Sequence, residues 1–347
     1  KNKMKRRTLM KTSLVAGALA FSLGATAAFA ETVTLRMSTW LPPKHHHTAT
    51  TLPAWIAAVE EASGGTLKIK IDPAPIAKPP GQYDVVRDGA ADMSYHVVAY
   101  TPGPFEILRG AELPFLSPNG EIGSQAAYDW YDRNIGFDKE FKDVKIITMF
   151  VHGPGAIHSK EPIKTLEDLA GVKLRVGGGG VRMGEALGAT PVALPATQAY
   201  EAIQKGVADG AMFPFESIGG FRLGELVNYH LEIPGGLYTT PFAVMMNPAK
   251  FDSLSDEHKK VLTDLGGVAG AKIFGKGWDD ADAVGRKLAE EQGGVFHKLE
   301  GEELQRWSDK IAFMNDAWVE KANAAGLDGA ALLEDFKATV AKYSGTN

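Results

Sequence analysis

The stretch from Thr165 to Glu216 leaves little choice of fold. It opens with a helix signal: Thr165 as N-cap, Asp168 three positions on, then Leu169, with Gly171 as a stop. Val172 to Val176 alternates as a short strand, with Leu174 and Val176 on one face and Lys173 and Arg175 on the other. Four glycines, Gly177 to Gly180, lead into a helix over Val181 to Leu187. Ala189 to Leu194 is apolar and reads as a strand, Ala199 to Val207 has helical spacing, and Ala211 to Phe215 is a further apolar run. Strand, helix, strand, helix, strand is the grammar of an α/β domain. In open sheets of this kind ligands bind beyond the carboxyl ends of the strands, where Arg175 lies next to a flexible turn. A guanidinium there suits a carboxylate, because its N–H fork matches two oxygens.

Three segments of this stretch carry a resemblance. They are Thr165-Leu-Glu-Asp-Leu-Ala-Gly-Val-Lys-Leu-Arg175-Val, Leu187-Gly-Ala-Thr-Pro191-Val, and Tyr200-Glu-Ala-Ile-Gln-Lys-Gly-Val-Ala-Asp209-Gly210. In order, spacing and residue type they resemble the signature of the DctP-type solute-binding proteins of TRAP (tripartite ATP-independent periplasmic) transporters, and the likeness runs from about residue 33 to 340. The resemblance implies a two-lobe clamshell with a long helix spanning both lobes. It also places the family's carboxylate-binding arginine at Arg175. The implied partners are a small organic acid and the subunits of a membrane permease.

The first thirty residues read as a secretory signal peptide. Lys5, Arg6 and Arg7 form its basic region, Leu14 to Leu23 its apolar region, and Ala28-Phe29-Ala30 a small-x-small cleavage site. Arg6-Arg7 leaves both Sec and twin-arginine export open. The expected location is the periplasm. The remainder is long for a single core and suggests two lobes. The net charge of −5 offers nothing to nucleic acid or to an anionic membrane. The absence of cysteine excludes disulfides, thiolate metal sites and a cysteine nucleophile.

Val33 to Met37 is expected as the first strand, Thr51 to Ala62 as an amphipathic helix, Thr66 to Ile71 as a strand, Tyr83 to Asp88 as a helix, and Ala91 to Val98 as a strand. The intervening loops then bring Trp40, the run His45 to His47, Gln82, His96 and Tyr100 to one rim. Ser124 to Arg133 is helical. Lys145 to His152 is a strand expected to cross into the second lobe, and Tyr238 to Met246 is expected to cross back. Phe251 to Phe274 reads as one long helix or a pair, and Trp278 to Gln292 continues it. Glu302 to Ala325 and Ala331 to Tyr343 are amphipathic helices. The fold class is therefore α/β: a periplasmic-binding-protein clamshell with discontinuous lobes, hinge strands and a lobe-spanning helix. The expected division is 1–30 for the signal, 31–152 with about 241–278 for lobe I, 153–240 with about 279–330 for lobe II, and 331–347 for a C-terminal helix.

The ligand-binding candidates are Arg175, Trp40, His96, Tyr100, Phe213, Glu216 and Gln82. The glycine run does not fit GxGxxG, and no Lys-Ser/Thr follows it, so it reads as a permissive turn rather than a phosphate cradle. Consecutive histidines in a loop rarely all face one ion, and no Cys or HExxH spacing supports zinc, so no metal and no cofactor is expected. Ser38, Ser94 and Ser217 lack GxSxG context, and no catalytic constellation stands out. Many relatives carry an Asn near Phe213 and an aromatic near Ala196, whereas this chain has the aromatic at Phe213. The acidic-sugar branch has extra arginines near Gly155 and Tyr100, and this chain lacks both. That points away from sialic-acid-like and dicarboxylate ligands. Trp40, Tyr100, Phe213 and Phe215 suggest an apolar, aromatic pocket with one carboxylate anchor.

The expected function is capture of a small organic acid, a monocarboxylate with room for an aromatic body, by a monomer that delivers it to a permease and does no chemistry on it. Two other readings stay open at this point. One is a receptor for a 2-oxo acid or zwitterion with a cation near Glu216. The other is a periplasmic hydrolase using the histidines.

Overall fold

The computed structural model describes residues 32–101 and 103–346. The expected signal peptide and its cleavage site lie outside the described residues. No described helix is long and apolar enough to cross a membrane.

The chain builds one sheet, leaves it for a second, and returns. Strands β1 (Val33–Ser38), β2 (Leu67–Ile71), β3 (Met93–Val97) and β4 (Lys145–Val151) come first. The second sheet then takes β5 (Ala156–Ser159), β6 (Lys173–Val176), β7 (Thr190–Ala193), β8 (Gly210–Phe213) and β9 (Tyr229–Glu232). β10 (Pro241–Met246) returns to the first sheet, and β11 (Val295–Lys298) joins the second. The orders are β2-β1-β3-β10-β4 and β11-β9-β5-β8-β6-β7. β10 runs antiparallel between β3 and β4 and is buried along its whole length, so the returning segment is the middle of the first lobe's core. The fold is a two-lobe α/β clamshell with discontinuous lobes.

The helix Gly267–Glu291 ties the lobes together. At 1.5 Å per residue it is about 37 Å long, enough to traverse both. Its first half packs on the helix Gly120–Asn134 and on β4, and its later turns on the short helix Glu216–Gly220 of the second lobe. The side chain of Asp279 accepts the N–H groups of Gly120 and Glu121, capping the neighbouring helix from outside.

Several local expectations change. The helix signal at Thr165 produces only a 3-10 turn, Glu167–Leu169. Asp168 accepts the N–H groups of Lys164 and Thr165, both at 2.9 Å, and Gly171 at φ +74° ends the segment before a full α-turn can form. Phe251 to Phe274 is divided into Pro248–Asp252, Asp256–Asp264 capped by Ser255, and the start of the long helix. Glu302 to Ala325 is two helices, Gly301–Ile311 and Phe313–Ala324. Trp307 and Ile311 of the first pack in the second lobe's core, whereas Trp318 and Ala322 of the other pack in the first lobe's. By packing, the chain therefore returns to the first lobe at Ala312, earlier than the expected boundary near 330.

Trp318 fixes that return. It is 5% exposed, donates from Nε1 to the carbonyl of Ile107 at 3.1 Å, and packs on Trp130. Trp318→Ala is expected to destabilise the protein by about 3–5 kcal/mol, the range for emptying a buried aromatic position. Urea denaturation followed by fluorescence measures this, and a change below about 1 kcal/mol would show that the C-terminal helices add little to the core.

Candidate functional site

Arg175 sits on β6 between β7 and β8, opposite Val192 and Ala211. Phe213 is two residues beyond Ala211 on β8 and so projects from the same face. The Arg175 guanidinium carbon lies 4.1 Å from the centre of the Phe213 ring. Nε donates to the carbonyl of Leu194 at 2.9 Å, and Nη2 to the hydroxyl of Tyr100 at 3.3 Å. The residue is 2% exposed, and among the described residues no carboxylate lies within salt-bridge distance of it. A buried guanidinium without a counter-ion is costly, and an anion brought to its free N–H groups removes that cost.

Tyr100 belongs to the other lobe. Its hydroxyl oxygen accepts from Arg175 and, at 2.9 Å, from the N–H of Ala196. Both contacts use lone pairs, so the phenolic proton is left to donate. Trp40 stacks on Phe221 across the cleft with rings 6.4 Å apart, and Phe221 stacks in turn on Phe213. Trp40, Tyr100, Arg175, Phe213 and Glu216 line one cavity between the lobes.

Four further walls, His152, Tyr238, Phe242 and Trp278, carry no local signal in the sequence. They come from the two crossing segments and the long helix. Only a chain path that places both crossings beside that helix brings them to the cavity. Tyr238 has a particular effect. A Cβ on Gly155 would lie 2.4 Å from its ring, so the tyrosine occupies the space where the acidic-sugar relatives are expected to place an arginine. Its hydroxyl is occupied, donating to the carbonyl of Met212 at 2.9 Å.

Two candidates lie elsewhere. His96 is fully buried on the opposite face of β3 from Tyr95 and Val97, because neighbours on a strand alternate. Val97 lines the cavity, while His96 packs on Tyr83 and meets the Thr101 hydroxyl at 3.1 Å. Burial lowers its pKa to about 3. Gln82 is also fully buried and donates to the carbonyl of Ala77 at 2.8 Å. Both are structural in this arrangement, so the expected rim is shorter than the sequence suggests.

The histidine run is part of the lobe contact. His45 Nδ1 accepts from the N–H of His47, so Nε2 carries the proton and donates to Glu216 at 3.1 Å. The backbone N–H of Glu216 donates to Asp282 of the long helix at 2.8 Å. Burial raises the Asp282 pKa well above the carboxylate range. Glu216 therefore borders the cavity but pairs with His45 rather than with Arg175. His47 is sealed beneath Trp278 and Tyr95. Among the described residues no group of three or more acidic or histidine side chains is placed to hold a metal.

The glycine run has a different basis from the one expected. None of Gly177 to Gly180 has positive φ. What they supply is closeness: a Cβ on Gly178 would lie 2.4 Å from the carbonyl oxygen of Ala99 in the first lobe. A larger cavity lies beside this turn and shares Gly177, Tyr238 and Thr240 with the first. Its Arg109 is paired with Glu112 at 2.8 Å and its Lys321 with Glu106, so it lacks the buried, unpaired charge that marks the Arg175 cavity.

A cleft closed by two discontinuous lobes around a buried arginine that has no carboxylate partner among the described residues is the architecture of a solute-binding protein. The sequence pattern described as bacterial extracellular solute-binding protein, family 7 (DctP), matches residues 37–321, and the chain belongs to that family. Solved relatives agree with the fold. A TRAP periplasmic solute-binding protein of Bordetella bronchiseptica, with bound (R)- and (S)-mandelate, is 35% identical, with TM-score 0.86 over 89% of this chain and 99% of that one. One from Rhodoferax ferrireducens, with copurified benzoate, is 33% identical, with TM-score 0.85 over 90% and 99%. A marine metagenome protein described as specific for aromatic acids, with 3-hydroxybenzoate, is 39% identical, with TM-score 0.84 over 90% and 99%.

Proposed function

We propose that this protein captures a small aromatic monocarboxylate in the periplasm and delivers it to a TRAP permease without altering it. The observation that carries the reading is Arg175: buried, faced by Phe213, hydrogen-bonded only to neutral groups, and opening on an aromatic cavity. One fork takes one carboxylate. The ring of Tyr238 over Gly155 leaves no room for a second arginine, which disfavours diacids and acidic sugars. The ligands held by the three related structures belong to the same class, aromatic acids with a single carboxylate.

The mechanism in this reading is hinge closure. The chain crosses between the sheets at residues 152–155 and 233–240, and these segments are the proposed hinges. Arg175 and Phe213 on one lobe, with Tyr100 and Trp40 on the other, close on the ligand and exclude water. The closed form is then what the permease meets. Export by the N-terminal signal, through Sec or the twin-arginine route, and action as a monomer complete the proposal.

Benzoate and mandelate are the probes, with benzamide as a neutral control of the same shape. A ligand at one hundred times its Kd is expected to stabilise the protein by about 2.7 kcal/mol. The acids are expected to raise the melting temperature and benzamide to leave it unchanged. Equal shifts from benzamide and benzoate, or no shift from either acid, would overturn the proposal.

A further inference from the structure

We infer that His152 recognises a hydroxyl group on the ligand, so that the preferred class is hydroxylated aromatic acids rather than aromatic acids in general. This rests on the proposed function and refines it.

His152 ends the first crossing strand, is 4% exposed and lines the cavity. Its Nδ1 lies 2.5 Å from the carbonyl oxygen of Gly153. A carbonyl oxygen can only accept, so Nδ1 carries the proton. Burial lowers the pKa to about 4, and the nearby Arg175 charge acts in the same direction. The ring is therefore neutral near pH 7, and a neutral ring protonated on Nδ1 has a bare lone pair on Nε2.

No described residue donates to that lone pair. The ring is walled by Tyr238, Phe242 and Trp278, all at steep angles to it. Tyr238 already donates to Met212. An acceptor that opens on a binding cavity, without a donor among the described residues, is what a ligand O–H satisfies once closure excludes water, because an acceptor buried unpaired is costly. Glu216 also lines the cavity, with Oε2 engaged by His45, and the hydroxyls of Thr240 and Tyr238 can both donate and accept, so His152 Nε2 is the neutral side-chain atom on this wall that can only accept. A site built to bond a hydroxyl discriminates against the analogue lacking it, because the site's own polar group is then left unpaired.

The test is calorimetry with benzoate and phenylacetate against the three hydroxybenzoates and mandelate, and against the methyl ether of whichever hydroxy acid binds best. The wild type is expected to bind at least one hydroxy acid about tenfold or more tighter than its parent, and to lose that gain with the methyl ether, which accepts but cannot donate. His152→Phe keeps the ring and removes both nitrogens. It is expected to bring the hydroxy acid to within about threefold of its parent, both measured on that variant, a difference of well under 1 kcal/mol. His152→Gln restores an acceptor and is expected to recover part of the preference. Should His152→Phe fail to fold, His152→Gln and the methyl ether decide the matter between them.

An absence of hydroxyl preference in the wild type, or an equal loss for parent and hydroxy acid in His152→Phe, overturns the assignment while leaving the carboxylate site standing. If neither benzoate nor phenylacetate binds the wild type, the aromatic-acid reading fails and this inference falls with it.

Discussion

Arg175→Ala is expected to weaken binding of an aromatic acid by two to three decades or more. The ligand carboxylate would be buried without its partner, which costs roughly 3–5 kcal/mol in a fully closed site, at about 1.4 kcal/mol per decade. Ligand-free stability is not expected to fall in step, because the arginine has no carboxylate partner among the described residues and its loss leaves no protein charge stranded. Arg175→Lys is expected to bind poorly too. An ammonium cannot supply the planar fork, nor can it keep the bond to Leu194 while facing the cavity. Phe213→Ala removes the ring behind the guanidinium and should cost less, with bulky ligands affected most. Calorimetry with benzoate on the three variants is the measurement. Binding by Arg175→Ala within about threefold of the parent would place the carboxylate elsewhere.

Gly178→Ala is expected to weaken binding by roughly one to two decades, although it touches no ligand. The added Cβ would lie 2.4 Å from the Ala99 carbonyl oxygen and 2.8 Å from the Ala99 Cβ. Neither can rotate away, and overpacking of this kind costs about 1–3 kcal/mol. The contact exists only where the lobes meet, so the cost falls on the closed form. Melting of the ligand-free protein is expected to stay near that of the parent, and small-angle scattering with saturating benzoate should show a less compact particle. Gly179→Ala is the internal comparison. Its Cβ would meet the ends of the Glu112 and Arg109 side chains, which can move, so the effect should be milder. Parent-like affinity in Gly178→Ala would show that this approach is not required for closure.

The alternation of short strands and helices from Thr165 to Glu216 was legible because strand and helix periodicity are local properties. Arg175 was legible for the same reason: one strand, its carboxyl end, then a turn. The resemblance carried the lobe arrangement further than periodicity alone could. Strands β5, β9 and β11 were not seen. Each carries a histidine that interrupts its short apolar run, and β11 is also exposed at both ends, so no hydrophobic pattern announces them. The break at Ala312 was hidden because the helical spacing continues across it, and only packing divides the two helices between the lobes.

Side-chain destinations divide along the same line. Sequence alone determined the alternation of strands and helices between Lys173 and Phe213, the strand-end arginine, the shortage of further cations near Gly155 and Tyr100, and the aromatic character of the loops. Tertiary structure decided which of those residues meet. Strand parity turned His96 away from the cavity that its neighbour Val97 lines. Closure paired Glu216 with His45, 171 positions away, and Arg175 with Tyr100, 75 positions away. It also brought in His152, Tyr238 and Trp278, whose surroundings are set by two crossings and one long helix. The physical reason is range. Periodicity and capping act within a few residues, whereas a cavity between lobes is made of contacts that exist only after the chain has left one sheet, built another and come back.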